Sequence, residues 1–558
     1  MRDVNRRSPR SSRPRKAALS GAAITAAAAA LGAGATIGRA DGDVSFSAVY
    51  VNNDLGGGEP YVIYSHGAHD LIYTSHEGTT HLDNSNSHTG DCDVQTAMGF
   101  LCSYDNQVNI FTSTDSGLTW TRQLGNPIYT GFSDPSLSED EGNNIYDTGI
   151  DLANDAVYAS QDGGNTWVAG TPQCHEGDRP WLAGGKPGQV FMSTDTEEAG
   201  HEIFLGTITG AGGQNLTLTC SPFGIPDNGG QGQLYYNHHN GDLVEGADFS
   251  DGGYGISVLP DASNANFSGS GTATPFAQHE SSTLCSAHPS FCSDFAIFAP
   301  QIAIDQGNTI YVVWANNPRG TDTTGCSGFL PNMTGGPNLL PNQVIMVSTS
   351  DEGQTWSQPM VIASPQNAVV TWPWITAGAA GNISVVWDQS DQVTDPDCDS
   401  AALLPGGRPT NWTVQVANIY GANSGNPVDD QVTAVPNFDG RHAGGIFHVG
   451  GICQSGTTCA ATGQDRRLGD FLTNSLDQNG CVMVATGDTQ QTDPLTGDQY
   501  TTSRPLFLHQ VSGPSLTTGL PCASPGASTP EVPLVPVVIG AGAAALLVGR
   551  SRLRRRGV

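Results

Sequence analysis

The sequence predicts an all-β protein in which one small sheet module recurs along the chain. Three observations carry this. Strand-and-turn signals run through residues 45–511, and no segment there holds a helical 3.6-residue period. The segments Pro300–Trp314 and Pro373–Trp387 align without a gap, each reading strand, Gly/Asn turn, strand. One eight-residue pattern, Ser/Thr-x-Asp-x-Gly-x-Thr-Trp, occurs at Ser113–Trp120, Ser160–Trp167 and Thr349–Trp356, each time after an apolar run.

In chain order, residues 1–40 read as an export signal. Arg2, Arg6, Arg7, Arg10, Arg13, Arg15 and Lys16 precede an apolar, alanine-rich stretch that ends in Gly38-Arg39-Ala40. Cleavage is expected after Ala40; an uncleaved membrane anchor is the alternative. Residues 41–511 form the body. Pro180–Thr194 repeats the hairpin form, Leu472–Thr486 is a looser copy turning at Asn479-Gly480, and Gly241-Asp242 marks another. Modules fall near 45–90, 91–130, 140–175, 178–222, 230–270, 298–362, 370–428 and 466–511. Degenerate copies of the eight-residue pattern stand at Thr74–His81 and near Ser193-Thr194-Asp195. Residues 512–531 are a Ser/Pro/Gly-rich linker, 532–549 an uncharged run long enough to span a bilayer as one helix, and 550–558 a basic cytoplasmic tail.

A four-stranded sheet cannot bury both faces alone, but a closed ring of them does, and it protects most edges. The expected fold is therefore a single β-propeller of six to eight four-stranded blades, seven preferred. In the repeated turn the Asp accepts amide hydrogen bonds, the Gly takes φ > 0, and the Trp returns on the next strand to be buried. On these residues the chain resembles the sialidase-like β-propellers with BNR or Asp-box repeats. Asp115, Gly117, Trp120, Asp162, Gly164, Trp167, Asp351, Gly353 and Trp356 would then be structural, on the outer rim and away from any ligand. The C-terminal span and arginine tail resemble the surface anchors of high-GC Gram-positive bacteria.

Charge excludes some partners. Nine of the 22 Lys+Arg but 51 of the 53 Asp+Glu fall within 41–530, a balance near −42. Nucleic-acid binding is set aside, because it requires basic groups to neutralise phosphates. All twelve cysteines lie within the exported residues 41–530 and read as disulfides. Neighbour pairing (92–102, 174–220, 285–292, 326–398, 453–459, 481–522) is the simplest expectation. No cofactor and no dedicated metal site is expected, although the acidic composition would suit Ca²⁺; the Asp395-x-Asp397-x-Asp399 run lacks the Gly and Glu of an EF-hand loop. The oligomeric state is left open.

Ligands of propellers sit at the mouth of the central channel, where the innermost strands begin. The aligned hairpins put Arg179, Trp372, Arg466, Arg467 and Asp470 there as ligand-binding candidates, with Glu176, Asp178, Tyr235 and Tyr236 as candidates for catalysis. Arg suits bidentate carboxylate recognition, and aromatic rings stack on sugar faces. His238-His239 reads as a hydrogen-bonded pair. The resembled sialidases use an arginine triad, a Tyr–Glu nucleophile pair and an Asp acid/base, with the first arginine in a Phe/Tyr-Arg-Ile-Pro motif. Residues 41–121 contain no Arg and no Lys, so that arginine is missing. The expected function is a surface-displayed propeller that binds extracellular carbohydrate or another polymer at the channel mouth, tethered to the membrane by its C-terminal helix. An exo-sialidase-type glycoside hydrolase is the alternative, and a structural or adhesion scaffold the third reading.

Overall fold

A computed structural model describes residues 43–524, apart from 77–107, 124–132, 152–153, 175–176, 197–199, 211–215, 226–231, 250–252, 261, 263–273, 276, 280–299, 317–320, 323–337, 340, 395, 397–406, 454–464, 493–499 and 501. The chain folds as a seven-bladed β-propeller of antiparallel blades. Blade 1 is Gly58–Ser65, Asp70–His76, Val108–Ser113 and Thr121–Arg122. Blade 2 is Ser133–Glu139, Ile145–Asp151, Asn154–Ser160 and Val168–Ala169; blade 3 is Asp178–Gly184, Gln189–Thr196, Gly200–Thr209 and Thr217–Ile225. Blade 4 is Leu234–Asn237, Asp242–Phe249, Gly253–Leu259 and Ala277–His279; blade 5 is Gln301–Ile304, Ile310–Asn316, Gln343–Thr349 and Met360–Ala363. Blade 6 is Val370–Ala377, Ile383–Ser390, Asn411–Tyr420 and Val428–Thr433.

Blade 7 closes the ring. Its first three strands, Thr473–Leu476, Val482–Asp488 and Arg504–Ser512, come from the C-terminal end, and its outer strand is Ser45–Tyr50 from the N-terminal end. The modules expected at 45–90 and 91–130 are thus one blade, preceded by a strand that belongs to the last. The seven first strands touch one another in an unbroken cycle and surround the axis. Apolar layers fill the gaps between blades: Val62, Tyr73 and Phe111 of blade 1 pack on Met483, Ala485 and Phe507 of blade 7, so the closure is buried.

Two turn types fix the blades. In Ser113–Trp120, between the third and fourth strands of blade 1, Ser113 Oγ donates to Asp115 (2.8 Å) and accepts from the Gly117 amide (2.9 Å). Asp115 in turn accepts from the Thr119 amide (2.9 Å) and hydroxyl (2.6 Å). The same bonds recur around Asp162 in blade 2 and Asp351 in blade 5. Gly117 has φ +85°, and a Cβ there would come 2.1 Å from Phe507 of blade 7, so this rim turn also leans on its neighbour. The degenerate copies behave differently: Ser193–Asp195 lies inside the second strand of blade 3, and His76 ends the second strand of blade 1, with 77–81 outside the described residues.

The second type joins the first two strands. Asp140 accepts from the amides of Gly142 (2.7 Å) and Asn144 (3.0 Å), from the Tyr146 hydroxyl (2.8 Å), and from the Gly188 amide of blade 3 (2.6 Å). Asp305 does the same for Gly307, Thr309, Tyr311 and, in blade 6, Gly381. One carboxylate therefore shapes a hairpin and stitches it to the next blade.

The chain packs on past residue 511, where the linker was expected to begin. Leu516 is buried and its carbonyl accepts from Ala379 of blade 6, and Cys522 bonds to Cys481. Cys174–Cys220 and Cys481–Cys522 are two of the six neighbour pairs expected. Among the described residues no helix is long and apolar enough to cross a membrane; residues 1–40 and 532–558 lie outside them.

Candidate functional site

Four first strands open with the same irregularity. Glu59-Pro60, Asp134-Pro135, Arg179-Pro180 and Trp372-Pro373 each place a non-glycine residue with φ between +46° and +57° immediately before proline. In each, pairing with the second strand is interrupted at that point: Gly58/Tyr61, Ser133/Ser136, Asp178/Trp181 and Thr371/Trp374. A positive φ costs about 1–3 kcal/mol for such residues, and strain of this kind clusters at functional sites. Four copies at one end of the ring make it a property of that mouth.

Two of the strained residues, Glu59 and Asp134, meet the loop that precedes blade 7. Arg466 grips both oxygens of Asp470, at 2.5 and 2.6 Å, and lies 3.7 Å from Glu59. Glu59 is fully buried; its Oε2 accepts from Ser133 Oγ (2.8 Å) and the Asp134 amide (2.8 Å), and lies 3.0 Å from His76 Nε2. Gly469 has φ +74°, and a Cβ there would meet Glu59 Cγ at 2.3 Å, so only glycine lets the two segments close. Arg467 is bidentate to Asp465, at 2.6 Å for the shortest contact.

Burial alone would raise the pKa of Glu59, but the charges of His76 and Arg466 hold it well below the usual carboxylate range. Asp134 goes the other way. Burial, then the adjacent charges of Glu59, Asp178 and Asp470, push it well above. Oxygens of Glu59, Asp134 and Asp470 lie within 4.8 Å of one another, close enough to share a cation, although the Arg466 guanidinium already supplies positive charge at that point.

Below the mouth the residues two past three of the strained positions, Tyr61, Trp181 and Trp374, gather with Phe471 to close the channel. Tyr61 and Trp374 meet edge-on at 5.9 Å, Trp374 and Trp181 lie 5.4 Å apart, and Phe471 packs on Trp181 (5.3 Å) and Trp374 (5.6 Å). These rings are all under 8% exposed. At the far ends of the first strands a separate cavity of about 630 Å³ opens, lined by Tyr61, Gln233, Tyr235, Tyr236, Glu139 and Asn474 among others.

The sequence candidates divide between these ends. Arg466, Arg467, Asp470, Asp178 and Arg179 lie at the strand-start mouth, with Asp178 exposed and Arg179 half-buried. Trp372 is there too, but 5% exposed and packed in the core, so it offers no stacking face at the surface. Tyr235 and Tyr236 lie in the first strand of blade 4 and line the opposite cavity, not the arginine mouth. His238 and His239 occupy the following turn; rather than pairing with each other, they face Glu141 (3.2 Å) and the Asp305 carbonyl (3.3 Å). Glu176 lies outside the described residues. Glu59, His76 and Asp134 were not singled out from sequence as site residues. The residue-before-proline step shared with Arg179 and Trp372 was the available signal.

The sequence matches no protein-family model and no curated protein. Similar solved structures include a protein of unknown function from Dyadobacter fermentans (10% identity, 84% of this chain and 99% of that chain, TM-score 0.39). The GH93 α-L-arabinofuranosidase of Fusarium graminearum, complexed with arabinobiose, is similar at 10% identity over 84% of this chain and 98% of that one (TM-score 0.36). So is the NanB sialidase of Streptococcus pneumoniae, at 10% identity over 84% and 70% (TM-score 0.37). The chain's own strand order defines the class: a seven-bladed β-propeller with a strained, ion-paired polar mouth at one end of its channel.

Proposed function

We propose that this protein is an exported propeller displayed at the cell surface, tethered through residues 532–549, that binds neutral carbohydrate or a similar hydroxyl-rich polymer at its strand-start mouth without turnover. The commitment of two arginines carries the reading. Arg466 is taken by Asp470 and Arg467 by Asp465, so neither is held ready for a substrate carboxylate. Around them Glu59, Asp178 and Asp470 make the mouth acidic, which disfavours an anionic sugar. Hydroxyl groups both donate and accept, and they match a rim built from carboxylates and guanidinium. Exposed Asp178 and half-buried Arg179 are the contact residues.

The test is binding of the full chain, in detergent micelles, to an array of neutral and sialylated glycans. Saturable binding to neutral glycans is expected, weakened about tenfold by Asp178→Asn or Arg179→Ala, a loss of about 1.4 kcal/mol, with the melting temperature unchanged. Binding to no glycan, or preference for sialylated ones, would overturn it.

A further inference from the structure

The aromatic closure separates the strand-start mouth from the cavity at the other end, so that cavity is a compartment of its own. Its volume, about 630 Å³, falls in the range of small-molecule sites, about 300–1,000 Å³. Two lining carbonyl groups lack partners although both residues are at most 5% exposed. Gln233 donates through Nε2 to the Tyr61 hydroxyl (2.9 Å), which leaves Oε1 unbonded. Asn474 donates through Nδ2 to the Ser384 carbonyl (3.0 Å), which leaves Oδ1 unbonded. A buried acceptor without a donor is costly, by about 1–3 kcal/mol, and a ligand that brings N–H groups would remove that cost.

Charge and ring chemistry narrow the ligand. Glu139, Asp140, Glu141 and Asp305 all line the cavity, and so do Tyr61, Tyr64, Tyr235 and Tyr236. Carboxylates beside aromatic rings attract organic cations. The chain itself supplies an example at this wall: Lys186 Nζ lies 3.1 Å from Glu141 and 5.9 Å from the Tyr236 ring centre. We propose that this cavity is a second binding site, for a small ligand bearing a primary ammonium group. The ammonium would donate to Gln233 Oε1 and Asn474 Oδ1 within the acidic, tyrosine-lined wall. This site is independent of the glycan reading, which concerns the other mouth.

The test is isothermal titration of the full chain with n-butylammonium chloride and, separately, with butan-1-ol as the uncharged analogue of equal length. Saturable butylammonium binding is expected with a dissociation constant of about 1 mM or below, and none with butanol. Gln233→Leu should weaken it about tenfold or more, as loss of a hydrogen bond to a charged group does. Because that change also removes the bond to Tyr61, Glu141→Gln at the partly exposed rim is the second variant, expected to weaken binding several-fold. Arg179→Ala, at the other mouth, should leave it intact. Equal binding of butanol, no saturable heat, unchanged affinity in both cavity variants, or loss in Arg179→Ala would each overturn the proposal.

Discussion

Arg466 holds both carboxylate oxygens of Asp470, at 2.5 and 2.6 Å, while Glu59 waits 3.7 Å from the same guanidinium. One cation thus serves a buried group of acids drawn from blade 1, blade 2 and the loop before blade 7. Arg466→Ala should destabilise the protein by about 3–5 kcal/mol, because it leaves carboxylates buried without their counter-charge. The paired change Arg466→Met with Asp470→Leu should cost less, since only Glu59, still facing His76, then loses its cation. Urea denaturation of the two variants distinguishes these outcomes.

How much of this was readable beforehand depends on the range of the signal. The rim turns and the hairpins around Asn479-Gly480 and Gly241-Asp242 are local, so their residues announced them. The blade-7 closure was not legible, because Ser45–Tyr50 finds its partner across the whole chain and nothing near residue 45 says so. At the mouth, Arg466, Arg467 and Asp470 stood out as rare basic residues and their neighbours. Glu59 and Asp134 did not, being ordinary acids in an acidic chain until folding buries them together. Tyr236 was placed at the wrong end of the channel because a strand's sequence does not say which of its two ends a side chain serves.

His201 of blade 3 faces Glu245 of blade 4 at 2.8 Å and Asp195 at 3.2 Å through its two ring nitrogens. Both contacts favour two N–H groups, hence the imidazolium. Burial alone would lower its pKa, but the charges of Glu245 and Asp195 raise it from 6.5 to about 9. A base with a raised folded-state pKa stabilises fully below its unfolded value, and that contribution is lost as pH rises through the folded one. Wild-type stability should therefore fall between about pH 6.5 and 9 by a few kcal/mol, each pKa unit being worth about 1.4 kcal/mol, and His201→Gln should flatten that slope in denaturation measured across the window.

Asp147 in blade 2 has the opposite logic to a rim aspartate. Both of its oxygens are buried without a hydrogen-bond partner, and burial pushes its pKa well above the ordinary value. The unfolded chain releases this proton near the ordinary value of 3.8, whereas the folded state holds it to higher pH, so stability falls as pH rises above the unfolded pKa. Asp147→Asn should raise the melting temperature at pH 7, and the gain should shrink toward pH 4.

Trp167 closes the blade-2 rim turn, 8% exposed, with its indole N–H donating to Gly164 O at 2.8 Å. Trp167→Ala should cost about 3–5 kcal/mol of stability, the usual range for a buried tryptophan. Glycan binding per folded molecule should be unchanged, since the turn lies on the rim. Chemical denaturation and array binding on the same sample read the two effects separately.

The most direct measurement is release of a fluorescent aglycone from sialosides and from neutral glycosides by the full chain. With Arg466 and Arg467 committed to Asp470 and Asp465, the expected result is no release above the buffer rate from either class, on samples that bind neutral glycans. Sialoside turnover that disappears in Arg179→Ala, at an unchanged melting temperature, would contradict the binding reading and establish a hydrolase.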